Sequence, residues 1–322
     1  MSEQRDASML QVASANLEYG GLSVTGDATR LGKTLDALRA WDPDIILVQE
    51  MTARAEPELQ TPLWGVPTGE RDRLLRDMTS RAETKTLEHM EAIARQLGMT
   101  PVLGPPTPMA FGLIHPAIMV RAHPDFQVVH TGPPSSAAGA IAPAWSQAIV
   151  SIDGLPNPVA FYSIHMPARS AVGQLMQAEW LATFLAQRGE LAIAGGDWNS
   201  HSRADALTDE DLRSMPPHLR PPRMQWRSEG VLQPSYAVED TLALVGMRDA
   251  AACMSPGQRE PEQLTATGRD GNRLDRFYVT PEVIPALRGY RQRETGGSDH
   301  QAILLMLARD ALAEAEPPGP VP

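Results

Sequence analysis

The 322-residue sequence predicts an α/β (α+β) fold, a four-layer sandwich in which two packed mixed β-sheets, mainly antiparallel, are flanked by helices. Two observations predict it. Many short apolar runs of strand length punctuate the chain, and only a few long amphipathic segments at helical spacing lie among them. A third observation bounds it. A chain of this length buries most of its apolar surface without covalent staples, and the only cysteine, Cys253, allows no disulfide within the chain.

Residues 9–15 read as a strand that ends at Asn16 and leads into Gly20-Gly21. Asp27 suits the N-cap of a helix with Leu31, Leu35, Leu38 and Trp41 on one face, and Asp42-Pro43-Asp44 breaks that helix. Residues 45–48 form a continuous apolar run, as a strand buried on both faces requires, and Glu50 sits just past its end. A helix over 87–97 puts Leu87, Met90, Ile93 and Leu97 inward. Strands follow at about 113–120, 126–129, 148–152 and 159–164, the last ending at His165. A helix over 172–187 turns Leu175, Ala178, Leu181 and Leu185 inward, and the short strand 191–194 runs into Gly195-Gly196-Asp197. Residues 201–235 are charged, rich in proline and aperiodic, the pattern of a long surface excursion. Strands at 273–279 and 302–307 complete the series. The expected organisation is a disordered N-terminus (1–8), a single domain (9–309) and a Pro-rich disordered tail (310–322).

The opening residues hold no apolar run fit for a signal peptide, and no stretch reaches the ~20 apolar residues of a membrane span. A soluble, cytoplasmic protein with no membrane span and no obligate protein partner is expected. The net charge of -11 argues against a generally basic surface for nucleic acid, though not against a local one. Lysine occurs only at Lys33 and Lys85, and the other basic residues are arginine. Arginine suits bidentate phosphate contacts, and a GC-rich coding sequence would favour it equally.

The polar residues of interest share one kind of location. Asn16, Glu50, His165, Asp197 and Asp299 lie at or just beyond the end of an apolar strand, or just before one begins. Loops at strand ends are where a rigid scaffold presents chemistry. Gly195-Gly196 and Gly296-Gly297 would let backbone approach a ligand closely. Each residue alone has a plain alternative. Asn16 reads equally as a turn residue, Glu50 as a helix N-terminal acid, and Asp197 with Asn199 as an Asx turn. A lone His165 reads as structural, Asp275 beside Arg276 as an ion pair, and Asp299-His300 as a cap.

Together they form a pattern. Gln49-Glu50 after one buried strand, Gly196-Asp197-Trp198-Asn199 after another, Arg273-Leu274-Asp275 opening a third and Ser298-Asp299-His300 before a fourth resemble the endonuclease/exonuclease/phosphatase superfamily. That superfamily includes pancreatic-type DNases, abasic-site endonucleases, neutral sphingomyelinases and inositol polyphosphate 5-phosphatases. The resemblance spans residues 9–309, with Asn16 and His165 also in place. It implies a phosphoric ester hydrolase dependent on Mg2+, with Mn2+ as substitute. No cysteine–histidine cluster suggests zinc, and hard cations take oxygen ligands.

The resemblance implies roles residue by residue. Glu50 would hold the metal, helped by Asn16 and Asp299. Asp197 would orient or deprotonate the attacking water, and Asn199 would donate to phosphate or water. His300 would contact the phosphoryl oxygens or act as the base, with Asp275 fixing its tautomer and favouring its protonated form. His165 would stabilise the transition state from the other side, and Arg169 and Arg276 would contact substrate. Whether Asp197 or His300 takes the proton stays open. One departure is plain: residues 109–116, comparable to the strand that supplies a glutamate partner to the histidine in pancreatic-type DNases, carry no carboxylate.

The substrate is less constrained. Ser200-His201 after Asn199, and Asn272-Arg273-Leu274 before Asp275, disfavour the inositol phosphatase branch. The absent signal peptide and disulfides disfavour the secreted branches. Nucleic acid is the leading expectation, with Arg213, Arg220, Arg223 and Arg227 around Trp226 as a base-stacking and phosphate-holding element. The same segment reads as a solvated loop with one tryptophan docked on the core. A small phosphate ester, either a metabolite or a lipid headgroup, is the alternative substrate. A non-catalytic binding protein on the same fold is a third reading.

Overall fold

Two of the helices anticipated from the sequence each stand between two buried strands, and both serve as crossovers between parallel neighbours. The computed structural model describes residues 6–22, 27–53, 68–109, 112–132, 143–205, 207–226, 231–255, 262–268 and 270–319. The chain opens with β1 (Met9–Asn16), α1 (Thr29–Trp41), β2 (Ile45–Met51) and α2 (Thr68–Leu97). Strands β3 (Met99–Leu103), β4 (Thr107–Met109), β5 (Gly112–Arg121), β6 (Phe126–Thr131), β7 (Trp145–Ile152) and β8 (Val159–His165) follow. Next come α3 (Ala171–Arg188), β9 (Leu191–Asp197), α4 (Asp209–Ser214), α5 (Arg220–Arg223), β10 (Met224–Trp226) and β11 (Leu232–Pro234). The chain closes with α6 (Ala237–Ala243), β12 (Arg248–Asp249), α7 (Ala250–Met254), β13 (Asp275–Val279), β14 (Leu287–Glu294), β15 (Gln301–Ala308) and α8 (Arg309–Ala313).

One sheet has the order β14-β15-β1-β2-β5-β3, with β4 paired to β5, and the other has the order β12-β13-β9-β8-β7-β6. Among the described residues the parallel pairs in these sheets are β1–β2 and β8–β9, bridged by α1 and α3. Alternation explains the apolar runs. Ile45 and Leu47 point between the sheets with Val12, Ile118, Phe161, Ile193 and Phe277, while Ile46 points outward beneath Leu35, Leu38 and Ile93. On the opposite outer face Leu181 and Leu185 of α3 cover Tyr162 and Ala194. The expected four-layer sandwich is the observed one.

Some elements differ from expectation. β14 was not anticipated, because LRGYRQRE lacks an apolar alternation; it is an edge strand, where arginine is tolerated. β3 was likewise missed. α2 begins well before residue 87, and Leu87, expected to face inward, is 41% exposed. The tail is not irregular from residue 310: α8 folds back, with Leu312 and Ala315 buried in the inter-sheet core. Asp6 and Ser8 form a turn in which Ser8 N–H donates to Asp6 Oδ1 at 3.0 Å, inside the segment expected to be disordered, whereas residues 1–5 lie outside the described residues. The 201–235 excursion contains short helices and the β10–β11 ribbon.

The glycine pair before Asp197 serves packing rather than ligand approach. A Cβ on Gly196, at φ +149°, would stand 2.0 Å from the Ile164 carbonyl oxygen, and one on Gly195 would stand 2.4 Å from the Phe277 ring. Gly297 likewise abuts α1, where a Cβ would meet the Arg30 carbonyl oxygen at 2.1 Å. Gly196→Ala should therefore lower unfolding free energy by more than about 2 kcal/mol in a urea titration. A loss below about 0.5 kcal/mol, the range of a neutral surface change, would show that β8 and β9 need no such close approach.

Candidate active site

The two crossovers dictate which side chains meet. Because β1 and β2 are parallel, with Asn16 opposite Gln49, their ends lie at the same sheet edge. The antiparallel β15 begins at that edge and brings Asp299 and His300 there. In the second sheet His165 pairs with Asp197 across β8–β9, and Asp197 pairs with Asp275 across β9–β13. Three neighbouring strands thus set His165, Asp197 and Asp275 in a row, facing Asn16, Glu50 and His300 from the first sheet.

Contacts cross between the sheets. His300 Nδ1–H donates to Asp275 Oδ2 at 2.7 Å, leaving Nε2 3.8 Å from Asp197 Oδ2. His165 Nε2 lies 3.7 Å from Glu50 Oε1 and 3.9 Å from Asp197 Oδ2. Glu50 is therefore a carboxylate within reach of His165, although the 109–116 stretch supplies none. The Asn16 amide nitrogen donates to Glu50 Oε1 at 3.3 Å and Asp197 Oδ2 at 3.4 Å, while its Oδ1 accepts from Glu18 N–H at 2.9 Å. Asn16 was expected as a metal ligand. In this structure the amide turns its nitrogen to the carboxylates and its oxygen to the Glu18 N–H, whereas a hard cation takes oxygen ligands.

Backbone strain marks the same spot. The β2–β5 ladder shifts register between Val48 and Met51, and within that irregularity Glu50 adopts φ +56°. Its Oε2 is held by Tyr19 N–H at 3.1 Å. Asn199 is at φ +48°, with its N–H donating to Asp197 Oδ1 at 3.0 Å and its side-chain amide to the Met166 carbonyl at 3.0 Å. The Asx turn and the functional placement coexist. Non-glycine residues in this region cost about 1–3 kcal/mol each and persist where surroundings hold them.

Electrostatics follow from burial. Asp197 is 2% exposed, and burial raises its pKa from the ordinary carboxylate value, against the opposing pull of His300; Asp275 adds to the rise. Burial would lower the His300 pKa, but Asp275 first, and Asp197 next, hold it well above the usual imidazole value. The same two carboxylates favour the protonated form of His300.

Sequence reasoning missed Glu18. It stands at φ +47°, accepts from Asp299 N–H at 3.0 Å and pairs with Arg30, tying the loop that carries Asp299 and His300 to the end of β1. Its signal was weak, a lone acid two residues beyond Asn16. The buried bases beneath the site were also missed: Arg273 binds Asp249 at 2.5 Å and Asp205 at 2.8 Å. Arg276, expected on substrate, is fully buried, with its guanidinium on the Ser200 carbonyl and hydroxyl at 2.8 Å, so it supports the loop after Asn199 instead. Arg169 is exposed on the turn between β8 and α3.

The excursion also reads differently. Arg223 is buried against Asp270 and so is not available to phosphate, while the half-buried Arg220 donates to the Met215 and Arg213 carbonyls. Trp226 is 72% exposed rather than docked on the core, and Arg227 lies outside the described residues.

The donors suit a hard divalent cation. Carboxylate oxygens of Glu50 and Asp197 converge on one amide nitrogen, and Asp299 sits on the adjoining loop. Among the described residues no three His, Cys, Asp or Glu side chains form a complete metal cage. Magnesium typically binds through one or two carboxylates and keeps waters and substrate oxygens.

This geometry coincides with a family pattern. Residues 13–300 match the model of the Endonuclease/Exonuclease/phosphatase family. The chain belongs to that family. Members are generally phosphoric ester hydrolases and typically depend on a divalent metal. A family member from Bacteroides thetaiotaomicron has the same fold, with TM-score 0.56 at 15% identity over 93% of this chain and 97% of that one. D. rerio TDP2 complexed with a single strand DNA product aligns with TM-score 0.54 at 13% identity, covering 93% and 98%. The human Nocturnin catalytic domain with bound sulfate anion aligns with TM-score 0.54 at 14% identity, covering 93% of each chain. No curated protein sequence matches the chain.

Asp275→Asn should separate two roles of His300. Removing the carboxylate charge lowers the imidazole pKa, so any rate limb that reports His300 protonation moves to lower pH. A cationic His300 on phosphate predicts reduced phosphodiester hydrolysis at neutral pH and partial recovery on acidification. A general-base His300 predicts the same downward move without recovery. A pH–rate profile unchanged from wild type would reduce Asp275 to a structural ion-pair partner.

Proposed function

We propose that the chain is a Mg2+-dependent phosphodiester hydrolase, most specifically a nuclease, which directs water to phosphorus at the edge where the two sheets meet. The observation that carries this reading is the placement of Asp197 within 4 Å of both imidazoles, 3.8 Å from His300 and 3.9 Å from His165. Mg2+, with Mn2+ as substitute, would neutralise phosphate charge and favour ionisation of water. Glu50 and Asp299 are its proposed holders, with Asn16 orienting Glu50.

The remaining chemistry belongs to side chains. Asp197, whose burial raises its proton affinity, aligns the attacking water and takes its proton. His300, kept cationic by Asp275, donates from Nε2 to a phosphoryl oxygen, and His165 does so from the opposite side. Asn199 fixes the Asp197 carboxylate through its backbone N–H and offers its amide to the substrate. Arg169, on the exposed turn after His165, reaches for the flanking phosphate. On this reading a protonated His300 leaves the base to Asp197, and the Asp275→Asn profile separates that from a general-base His300.

A nucleic acid substrate accords with the solved fold neighbour that carries a single strand DNA product. The net charge of -11 favours the second reading, a small phosphorylated metabolite or lipid headgroup. A Mg2+-dependent panel of duplex DNA, single-stranded DNA, RNA, bis(p-nitrophenyl) phosphate and phosphomonoesters separates them. Turnover of a polynucleotide supports the nuclease, turnover confined to monoesters overturns it, and EDTA should abolish all activity.

Two substitutions test the division of labour. Glu50→Ala should weaken metal binding, so that excess Mg2+ or Mn2+ partly restores the rate. Asp197→Asn keeps shape but removes the charge that activates water, leaving a loss of about 100-fold or more at any metal concentration. Rescue of both variants, or of neither, contradicts the assignment.

A further inference from the structure

The edge strand β14 is only partly covered, and alternation decides which of its side chains share the face of α1. Gly289, Arg291 and Arg293 share the face of their β15 partners Met306, Leu304 and Ala302, which is the face α1 packs on. Glu294 falls on the other face. Between α1 and β14 lies a groove of about 620 Å3 lined by Trp41, Arg291, Gln292 and Arg293 among others.

From the groove, α1 runs back toward the loop that carries Asp299 and His300. Arg30 Nε donates to the Gly297 carbonyl at 3.0 Å, and the exposed Lys33 lies over Gly296, its Cδ 3.7 Å from where a Cβ would stand. Farther along, Arg293 approaches the Ala37 carbonyl at 3.5 Å and stands 6.0 Å from the centre of the Trp41 ring. Contacts to Arg30, Lys33, Ala37 and Trp41 thus follow one stripe of α1 away from the Gly296–His300 loop. By helical rise the stripe is about 16 Å long. The acid in this stretch of α1, Asp36, is paired with Arg39 at 2.7 Å. A local run of Lys33, Arg291 and Arg293 beside an indole stands out on a chain of net charge -11.

We propose that this α1–β14 groove binds the backbone of a single-stranded nucleic acid on one side of the scissile phosphate. The cations take successive phosphates, and Trp41 with Arg293 offers a stacking surface at the far end. The proposal rests on the nuclease reading and names its substrate as a single strand. A duplex keeps its bases stacked and paired within the helix, leaving none to place on the ring. An acidic peptide would satisfy the same cations but has no base to place on the ring.

Binding of a fluorescein-labelled oligothymidylate, followed by anisotropy against salt concentration in EDTA, tests it on the full chain. Arg291→Gln/Arg293→Gln should raise Kd about tenfold and flatten the slope of log K against log salt by about 1.4, at roughly 0.7 per lost phosphate contact. Lys33→Gln alone should flatten it by about half that. Hydrolysis of bis(p-nitrophenyl) phosphate, too short to enter the groove, reports whether the variants are folded. If wild type cleaves the oligonucleotide and the variants bind with unchanged Kd and slope, the groove proposal fails alone. If wild type binds the strand through these arginines and leaves it intact when Mg2+ or Mn2+ replaces EDTA, the nuclease reading fails alone. Absence of wild-type binding, or equal competition by polyglutamate, overturns the groove as a nucleic-acid site.

Discussion

The site depends on the burial of neighbouring negative charges. Asp197 and Asp275 are paired across adjacent strands, both nearly sealed from water, and Glu50 comes toward them from the opposing sheet. Ionised carboxylates in such surroundings repel one another and lose hydration. The arrangement survives because counter-charges and donors are installed around it: His300 on Asp275, His165 between Glu50 and Asp197, the Asn16 amide across both, and Asn199 N–H on Asp197. A cation completes the same compensation. The electrostatic need that makes the site costly to fold also makes it receptive to metal and to a phosphate's approach to cationic imidazole.

Holding these groups in register requires the two sheets to be fixed to each other near the edge. Apolar packing between sheets is adaptable, whereas buried hydrogen bonds are directional. Gln49, adjacent to Glu50, donates to the Ser163 hydroxyl at 3.0 Å, and Ser163 donates to the Val48 carbonyl at 2.7 Å. Ser14 completes the set by donating to Gln49 Oε1 at 3.3 Å. These buried polar residues stitch β1 and β2 to β8 just below the row of His165, Asp197 and Asp275, where a relative slide would separate Glu50 from His165.

Much of this was legible in the sequence because periodicity and strand ends carry it. The run before Glu50, the run before Asp197 and the helices between parallel strands were each visible as patterns, and the register then brought the expected residues together. What was not legible depends on contacts between distant segments. Whether Arg276 meets substrate or the Ser200 carbonyl, and whether Asn16 presents oxygen or nitrogen, is decided by packing and by a partner N–H that no local pattern encodes. The same holds for β14, whose arginines read as loop until an edge position explains them, and for Arg223, whose partner Asp270 lies far along the chain. Burial of a charged residue is a tertiary property, and sequence spacing underestimates it wherever a partner arrives from elsewhere.

Cationic side chains are used in two ways by this acidic molecule. Arg223, Arg273 and Arg276 are buried, binding acids or carbonyl oxygens from distant segments and holding the loops behind the row of His165, Asp197 and Asp275. Ion pairs of this kind contribute geometry more dependably than stability, because desolvation offsets much of their attraction. The exposed cations of the α1–β14 strip incur little such penalty and keep their charge for a ligand. For the proposed substrate the excess of acids elsewhere would act as a filter, disfavouring a polyanion over much of the surface and leaving the α1–β14 strip as its approach to the loop bearing His300. Net charge alone would have argued against a phosphate-rich polymer as substrate, yet association is governed by the local field at the approach path.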